Sequence, residues 1–281
     1  MDYKAEISHL EKQLEFFNEL IEAMSPSNIG YTEMTSVIGP MLKLNYDTGQ
    51  SIKLLAEHNH LRDFIVLSRP FIESIINVGF ICAKGSEAII KSKKYAYQKG
   101  YRDLFKSIQI EDFKIDVGLD DVHKDLLVKH LPQNMIDALK EFTSKKGKEI
   151  TSWTNETTKE KIEIISKKYG IWVNGLLTFA FFNIYKDVSE IIHGSYYGVR
   201  IFLGMQNKDI SSFKSSEDAA NYFTKHQFQL GTLILQQVNI SIVALIEIIN
   251  QDLKGYEKVN IIKEKAYNTL IEYVENAKTI K

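Results

Sequence analysis

The stretch LRDFIVLSRPFIESIINVGFICAK, residues Leu61–Lys84, decides the fold. Its apolar residues occupy nearly every register of a three- and four-residue repeat. A helix made from it is apolar on most sides and belongs in an interior. Arg69 and Glu73 interrupt it at i,i+4 spacing, and Pro70 between them predicts a kink. Outward from this segment the same period recurs. It runs through Asp2–Met24, where Ile7, Leu10, Leu14, Phe17, Leu20 and Ile21 form one stripe. It continues through Tyr31–His58, with an interruption expected near Gly39-Pro40, and through Ser86–Ser107, Thr157–Tyr169, Trp172–His193, Glu217–Gln251 and Glu257–Ala277. With only four prolines in 281 residues and no extended alternating pattern, the expected class is all-α, a multi-helix bundle. The stretch from about Gln109 to Glu156 is more polar and shorter in range, and Leu131-Pro132 separates two short helices there. It reads as a short helical insertion within a single domain, 1–281, whose core motifs lie within 55–205 and whose C-terminal helical pair spans 217–277.

Composition narrows the function classes. A net charge of −1 excludes a global basic field directed at nucleic acid, although a local groove stays open. The single cysteine, Cys82, excludes a disulfide framework and any cysteine-rich zinc site, and its apolar neighbours predict an inert core thiol. Met1-Asp2-Tyr3-Lys4-Ala5-Glu6 lacks the basic-then-apolar order of a leader, so a cytoplasmic location is expected. Ile171–Ile184 is too short for a bilayer, and Leu230–Ile249 carries Gln236, Gln237, Asn239 and Glu247, so no membrane partner is expected.

Two polar constellations stand out. Tyr185, Ser189 and His193 are spaced four apart, and four helical residues advance about 400°, so all three share one stripe with an imidazole near the helix end. Arg69 and Glu73 share a stripe on the other apolar segment. Both segments should be central, and their polar groups then need partners. The expectation is that Arg69 or Glu73 comes within hydrogen-bond reach of Tyr185, Ser189 or His193. Such a cluster can be a structural network. It can also be a phosphate-directed site in which His193 moves a proton and Arg69 grips an anion. A serine nucleophile is disfavoured, because no nucleophile elbow is present.

Glu57-His58-Asn59-His60 invites a metal reading. On a helix His58 and His60 diverge by roughly 200°, and a helix-to-helix turn is the better account. His123 and His130 are expected to be solvated. Lys91, Lys93, Lys94, Lys99 and Arg102 alternate with Tyr95, Tyr97 and Tyr101, the mixture used by single-stranded nucleic-acid surfaces and by ordinary amphipathic helices alike. No metal and no cofactor is expected, since phosphate-loop, dinucleotide and zinc-protease motifs are all missing.

Arg69-Pro70-Phe71-Ile72-Glu73, Lys94-Tyr95, Trp153 and Tyr185-x-x-x-Ser189-x-x-x-His193-Gly194 are similar, in order and spacing, to a bacterial all-helical family of unknown function. That family carries an Arg-Pro-x-x-Glu helix and a Tyr-x-x-x-Ser-x-x-x-His-Gly helix, and the resemblance covers about residues 55–205. More loosely, the second motif resembles the HEPN superfamily. Those are helical bundles, often dimeric, and many are metal-independent ribonucleases of toxin–antitoxin and phage-defence systems. Their signature is an Arg and a His with four to six residues between them. Here Lys186 stands where the Arg would be, with six residues before His193, and a Lys supplies a point charge without a bidentate fork. The resemblance implies a HEPN-like core acting on RNA. A homodimer is expected partly from it and partly from the apolar length of the two C-terminal helices, and a protein partner encoded nearby is a further expectation. In the implied core His193 serves as acid or base, Arg69 with Lys186 stabilises phosphate charge, and Glu73, Tyr185 and Ser189 orient them. The alternative is a non-catalytic helical interaction or accessory protein whose polar cluster is structural.

Overall fold

The computed structural model describes residues 2–116, 129–182 and 184–279, without the side chains of Pro26, Lys114, Asp116, Tyr185, Lys186 and 277–279. His123, expected to be solvated, falls outside the described residues. In chain order the elements are α1 (Lys4–Ala23), α2 (Pro26–Ile29), α3 (Glu33–Glu57), α4 (Leu61–Lys84), α5 (Ser86–Asp103), β1 (Ser107–Ile110), β2 (Phe113–Asp116) and α6 (Gln133–Glu141). Then follow α7 (Thr158–Tyr169), α8 (Ile171–Phe182), a π-helical segment (Ile184–Val188), α9 (Ser189–Ile192), α10 (Tyr196–Phe202), a short 3₁₀ turn, α11 (Ser216–Asp252) and α12 (Glu257–Thr279). The protein is an all-α multi-helix bundle. Two compact units emerge: one from residues 1–83 and 157–281, the other from residues 84–156.

In the first unit α11 is the central rod. Val238, Ile242, Val243, Leu245, Ile246 and Ile249 are fully buried, and α1, α8 and α12 pack around them. Ser215 caps this helix by accepting the Asp218 N–H. α4 is wedged among its neighbours. A Cβ at Gly79 would stand 2.9 Å from Ile248 of α11 and 3.1 Å from Ile165 of α7, and one at Gly49 of α3 would stand 2.6 Å from Leu14 of α1 and 3.1 Å from Phe71 of α4. Both glycines sit at close helix crossings. α4 and α11 are each long and apolar enough to cross a bilayer, and 61% and 78% of their most apolar windows are buried within the protein.

The interruption expected near Gly39-Pro40 does not occur, because α3 runs through Pro40. Buried Ile38, Leu42, Asn45, Gly49, Ile52 and Ala56 keep their spacing across it, and that burial outweighs the one hydrogen bond proline removes. Thr32 and Thr35 form a reciprocal capping box at the helix start. At its end Asn59 takes φ of +57°, and the His60 N–H bonds to Leu55 O, closing the turn into α4. The Glu57–His60 cluster is therefore a helix connection.

The second unit departs from expectation at residues 107–116, where a β-hairpin stands and the helix from Ser86 stops at Asp103. Ile108 pairs with Ile115 and Ile110 with Phe113, so four apolar side chains share one exposed face. The alternation is real but only four residues long per strand. Pro132 caps α6, as expected of a proline at a helix start.

Candidate functional site

Arg69 and Glu73 lie half-buried on α4, and Arg69 Nε donates to Glu73 Oε1 at 3.0 Å. The i,i+4 pair closes on its own helix, as the spacing requires. One turn further on, Asn77 extends the stripe, and its Oδ1 accepts from Lys161 Nζ of α7 at 2.8 Å. Lys161 is only 9% exposed and lies 5.8 Å over the Phe80 ring, so an ammonium is held inside the first unit by an amide and an aromatic face. Sequence reasoning passed over both residues. Asn77 had a signal, the continuation of the 69, 73, 77 register. Lys161 had none, because its partner lies 84 residues away.

The other motif begins in unusual backbone. Residues 184–188 form a π-helix, whose i→i+5 bonds displace the register that the four-residue spacing assumed. The expected single helix from Trp172 to His193 is thus α8, the π segment and α9 in succession. The side chains of Tyr185 and Lys186 lie outside the described residues. Ser189 is half-buried and His193 exposed. Among the described residues no hydrogen bond or ion pair joins Ser189 or His193 to Arg69 or Glu73. The expected approach of Arg69 or Glu73 to Tyr185 falls outside the described residues.

What the His-Gly end of the motif builds is a tight corner. The His193 N–H bonds to Ser189 O, and Gly194 adopts φ of +62°, a left-handed conformation that only glycine takes without cost. Ser195 then caps α10 by accepting the Gly198 N–H at 2.9 Å and donates to Glu190 Oε2 at 2.7 Å. A Cβ at Gly198 would collide with the Glu190 backbone. Gly194, Ser195, Gly198 and Glu190 are therefore corner-forming residues.

In the second unit the basic, tyrosine-rich helix is largely spoken for. Lys94 pairs with Glu141 and Lys99 with Glu149, both at 2.8 Å, and each carboxylate raises its lysine's pKa. Arg102 donates to Gln98 Oε1, Thr143 Oγ1 and the Phe142 carbonyl. Tyr95 donates to Thr151 O and meets Phe142 edge-on. These contacts hold α6 and the following loop onto α5, and leave less of the helix for a nucleic-acid backbone than its composition suggested. Cys82 is buried, and desolvation drives its thiol pKa upward, away from the thiolate that reactive cysteines need.

The surface around α8 is the larger surprise. Ile171, Trp172, Gly175, Thr178, Phe179 and Phe182 face solvent, with no charge among them. Ile171 is 81% exposed, Trp172 55%, Phe179 42% and Phe182 76%. The Trp172 indole N–H donates to the Tyr267 hydroxyl of α12, which fixes the ring. A helix apolar all round is ordinarily enclosed; this one is enclosed on one side.

Comparison with curated proteins and with solved structures returns no match. Residues 35–210 match the model of a family of unknown function, a span from α3 to the 3₁₀ turn that includes both polar motifs and the exposed face of α8. Since that span is more than half of the 281 residues, the chain belongs to the family of unknown function DUF5677.

Proposed function

We propose that this protein is a helical interaction module that binds through the uncharged aromatic face of α8, and that the partner on that face is a second copy of the chain. The observation that carries the reading is the exposed stripe of Ile171, Trp172, Phe179 and Phe182 around Gly175. Aromatic side chains bury about 150–250 Å² each when fully enclosed. At the observed exposures the four large residues leave roughly 450 Å² of apolar surface, within the ~300–600 Å² of the largest patch on a typical monomer, which is often functional. Two such faces bury about 900 Å² from these side chains alone. Gly175 and Thr178 bring the total to the ~1,000 Å² at which a specific interface begins. A face without charge does not repel its own copy, and isologous pairing across a two-fold axis needs only one self-complementary patch. Gly175 has nothing within 4 Å of its would-be Cβ, so two helices can cross closely there. The test is sedimentation of wild type and Phe182→Asp over a micromolar range. Reversible association that the substitution removes supports the reading; a wild type that stays at 32.3 kDa rejects it.

A second reading rests on a different observation, the exposed imidazole of His193 at the C-terminal end of α9, the helix that follows a π-helical segment, a feature frequent at functional sites. In that reading the protein is a metal-independent ribonuclease of a phage-defence or toxin system. His193 acts as acid or base, while Lys186 and Arg69 act on the phosphate. It ranks second because His193 has no orienting hydrogen bond among the described residues, and efficient proton transfer needs a positioned group. Mixed RNA incubated in chelator with wild type and His193→Ala separates the two. Cleavage lost with the imidazole favours catalysis; no cleavage by either favours the interaction module.

A further inference from the structure

The seam between α1 and α12 carries a groove of about 290 Å³, outside the span matched by the family. Its surface is more apolar than polar, and it carries Glu6, His9 and Lys12 from α1 and Glu272 and Tyr273 from α12. Three features set it apart from an ordinary surface furrow.

His9 forms part of its wall yet is only 4% exposed, and its Nε2 is buried with no hydrogen-bond partner. Its ring stacks on Tyr273 with centroids 4.6 Å apart and planes inclined by 17°. Buried polar atoms are nearly always satisfied, so an orphaned imidazole nitrogen in a groove wall is capacity left unspent. Tyr273 is held in place, because its hydroxyl accepts from Gln236 Nε2 at 2.9 Å and donates to Glu6 Oε1 at 3.3 Å. The wall is thus aromatic and rigid. Finally, Lys12 and Glu272 line the same groove with opposite charges, and neither forms an ion pair among the described residues. Charges that share a groove without meeting leave room for a ligand that carries both signs.

We propose that this groove is a binding site for a free α-amino acid, with the ligand carboxylate on Lys12, its ammonium on Glu272 and Glu6, and its side chain against the His9–Tyr273 stack. The groove, about 290 Å³ and open to solvent, has room for a zwitterionic amino acid. The charges fit one ammonium and one carboxylate. A simple anion meets two carboxylates here, and a simple cation meets Lys12.

The experiment titrates the full chain with each of the twenty standard L-amino acids, with ethylamine and propionate as single-charge controls. Heat is followed by calorimetry and the His9 ring by nitrogen NMR, with the signal assigned by its loss in His9→Phe. At least one amino acid is expected to saturate with Kd below about 1 mM and to shift the His9 resonance. Lys12→Gln and Glu272→Gln should each weaken it by about tenfold or more, about 1.4 kcal/mol, while the far-ultraviolet spectrum stays unchanged. Both residues are exposed, so folding is not at stake. No response from any amino acid at about 10 mM overturns the proposal. Ethylamine or propionate binding as well as the zwitterion, or charge variants binding as wild type does, overturns it equally.

Discussion

Acidification should loosen the α1–α12 seam through His9. Burial lowers the pKa of this imidazole from 6.5 to about 4, and nearby Lys12 adds to the effect. The geometry explains the direction: a proton on Nε2 would place an N–H, and a charge, where no acceptor waits. In the unfolded chain His9 takes its proton near 6.5, and in the folded chain only near 4. Between those values the unfolded state binds the extra proton, so the stability His9 allows is complete above pH 6.5 and is lost as pH falls towards 4. At roughly 1.4 kcal/mol per pH unit the full difference is about 3 kcal/mol, a large share of a typical domain's stability. The assay is urea unfolding by circular dichroism at pH 7 and pH 4.5, on wild type and His9→Phe. Phenylalanine keeps the stack on Tyr273 and removes the titration. Carboxylates elsewhere respond alike in both proteins, so the difference between them isolates His9. Wild type should lose about 2–3 kcal/mol more than the variant on acidification. Equal losses in the two proteins would refute the reasoning.

Three other outcomes follow from single contacts. Gly79→Ala places a methyl 2.9 Å from Ile248 and 3.1 Å from Ile165, and should cost about 1–3 kcal/mol, read as a fall in melting temperature. Cys82 should resist iodoacetamide in the native protein at pH 8 and react once urea unfolds it, since burial holds its thiol protonated. Arg102→Ala removes the bonds to Gln98, Thr143 and the Phe142 carbonyl, and should lower stability by about 1–3 kcal/mol, with amide exchange rising first in α6.

The elements legible in the sequence are those whose burial writes itself into composition. Leu61–Lys84 and Glu217–Gln251 read as interior helices because nearly every turn is apolar, and they stand as α4 and α11 with ends shifted by a residue at most. The Arg69–Glu73 pair was legible for the same reason, because its geometry is fixed within one helix. The π segment was not, since it differs from α-helix in hydrogen-bond register and not in residue type. The hairpin was missed because two four-residue strands carry too few alternations to stand against a helical context. The roles of Lys94, Lys99 and Arg102 depend on partners some 40 to 50 residues away, and composition alone showed only cations beside tyrosines. The exposed side of α8 was hidden differently. Apolar residues on all faces predict burial, and sequence does not say which protein supplies it.

That last point is the central claim, and one cross-linking measurement addresses it directly. Gly175 sits in the middle of the α8 face with open space around its would-be Cβ, so Gly175→Cys adds a thiol without disturbing the fold. Cys82 is buried and does not compete. If two copies meet through α8 with the two-fold axis near this position, mild oxidation should convert the variant to a disulfide-linked species of about twice 32.3 kDa, and adding Phe182→Asp should abolish it. A Gly175→Cys protein that stays monomeric under the same oxidation, or that cross-links equally well with Phe182→Asp present, would contradict the account.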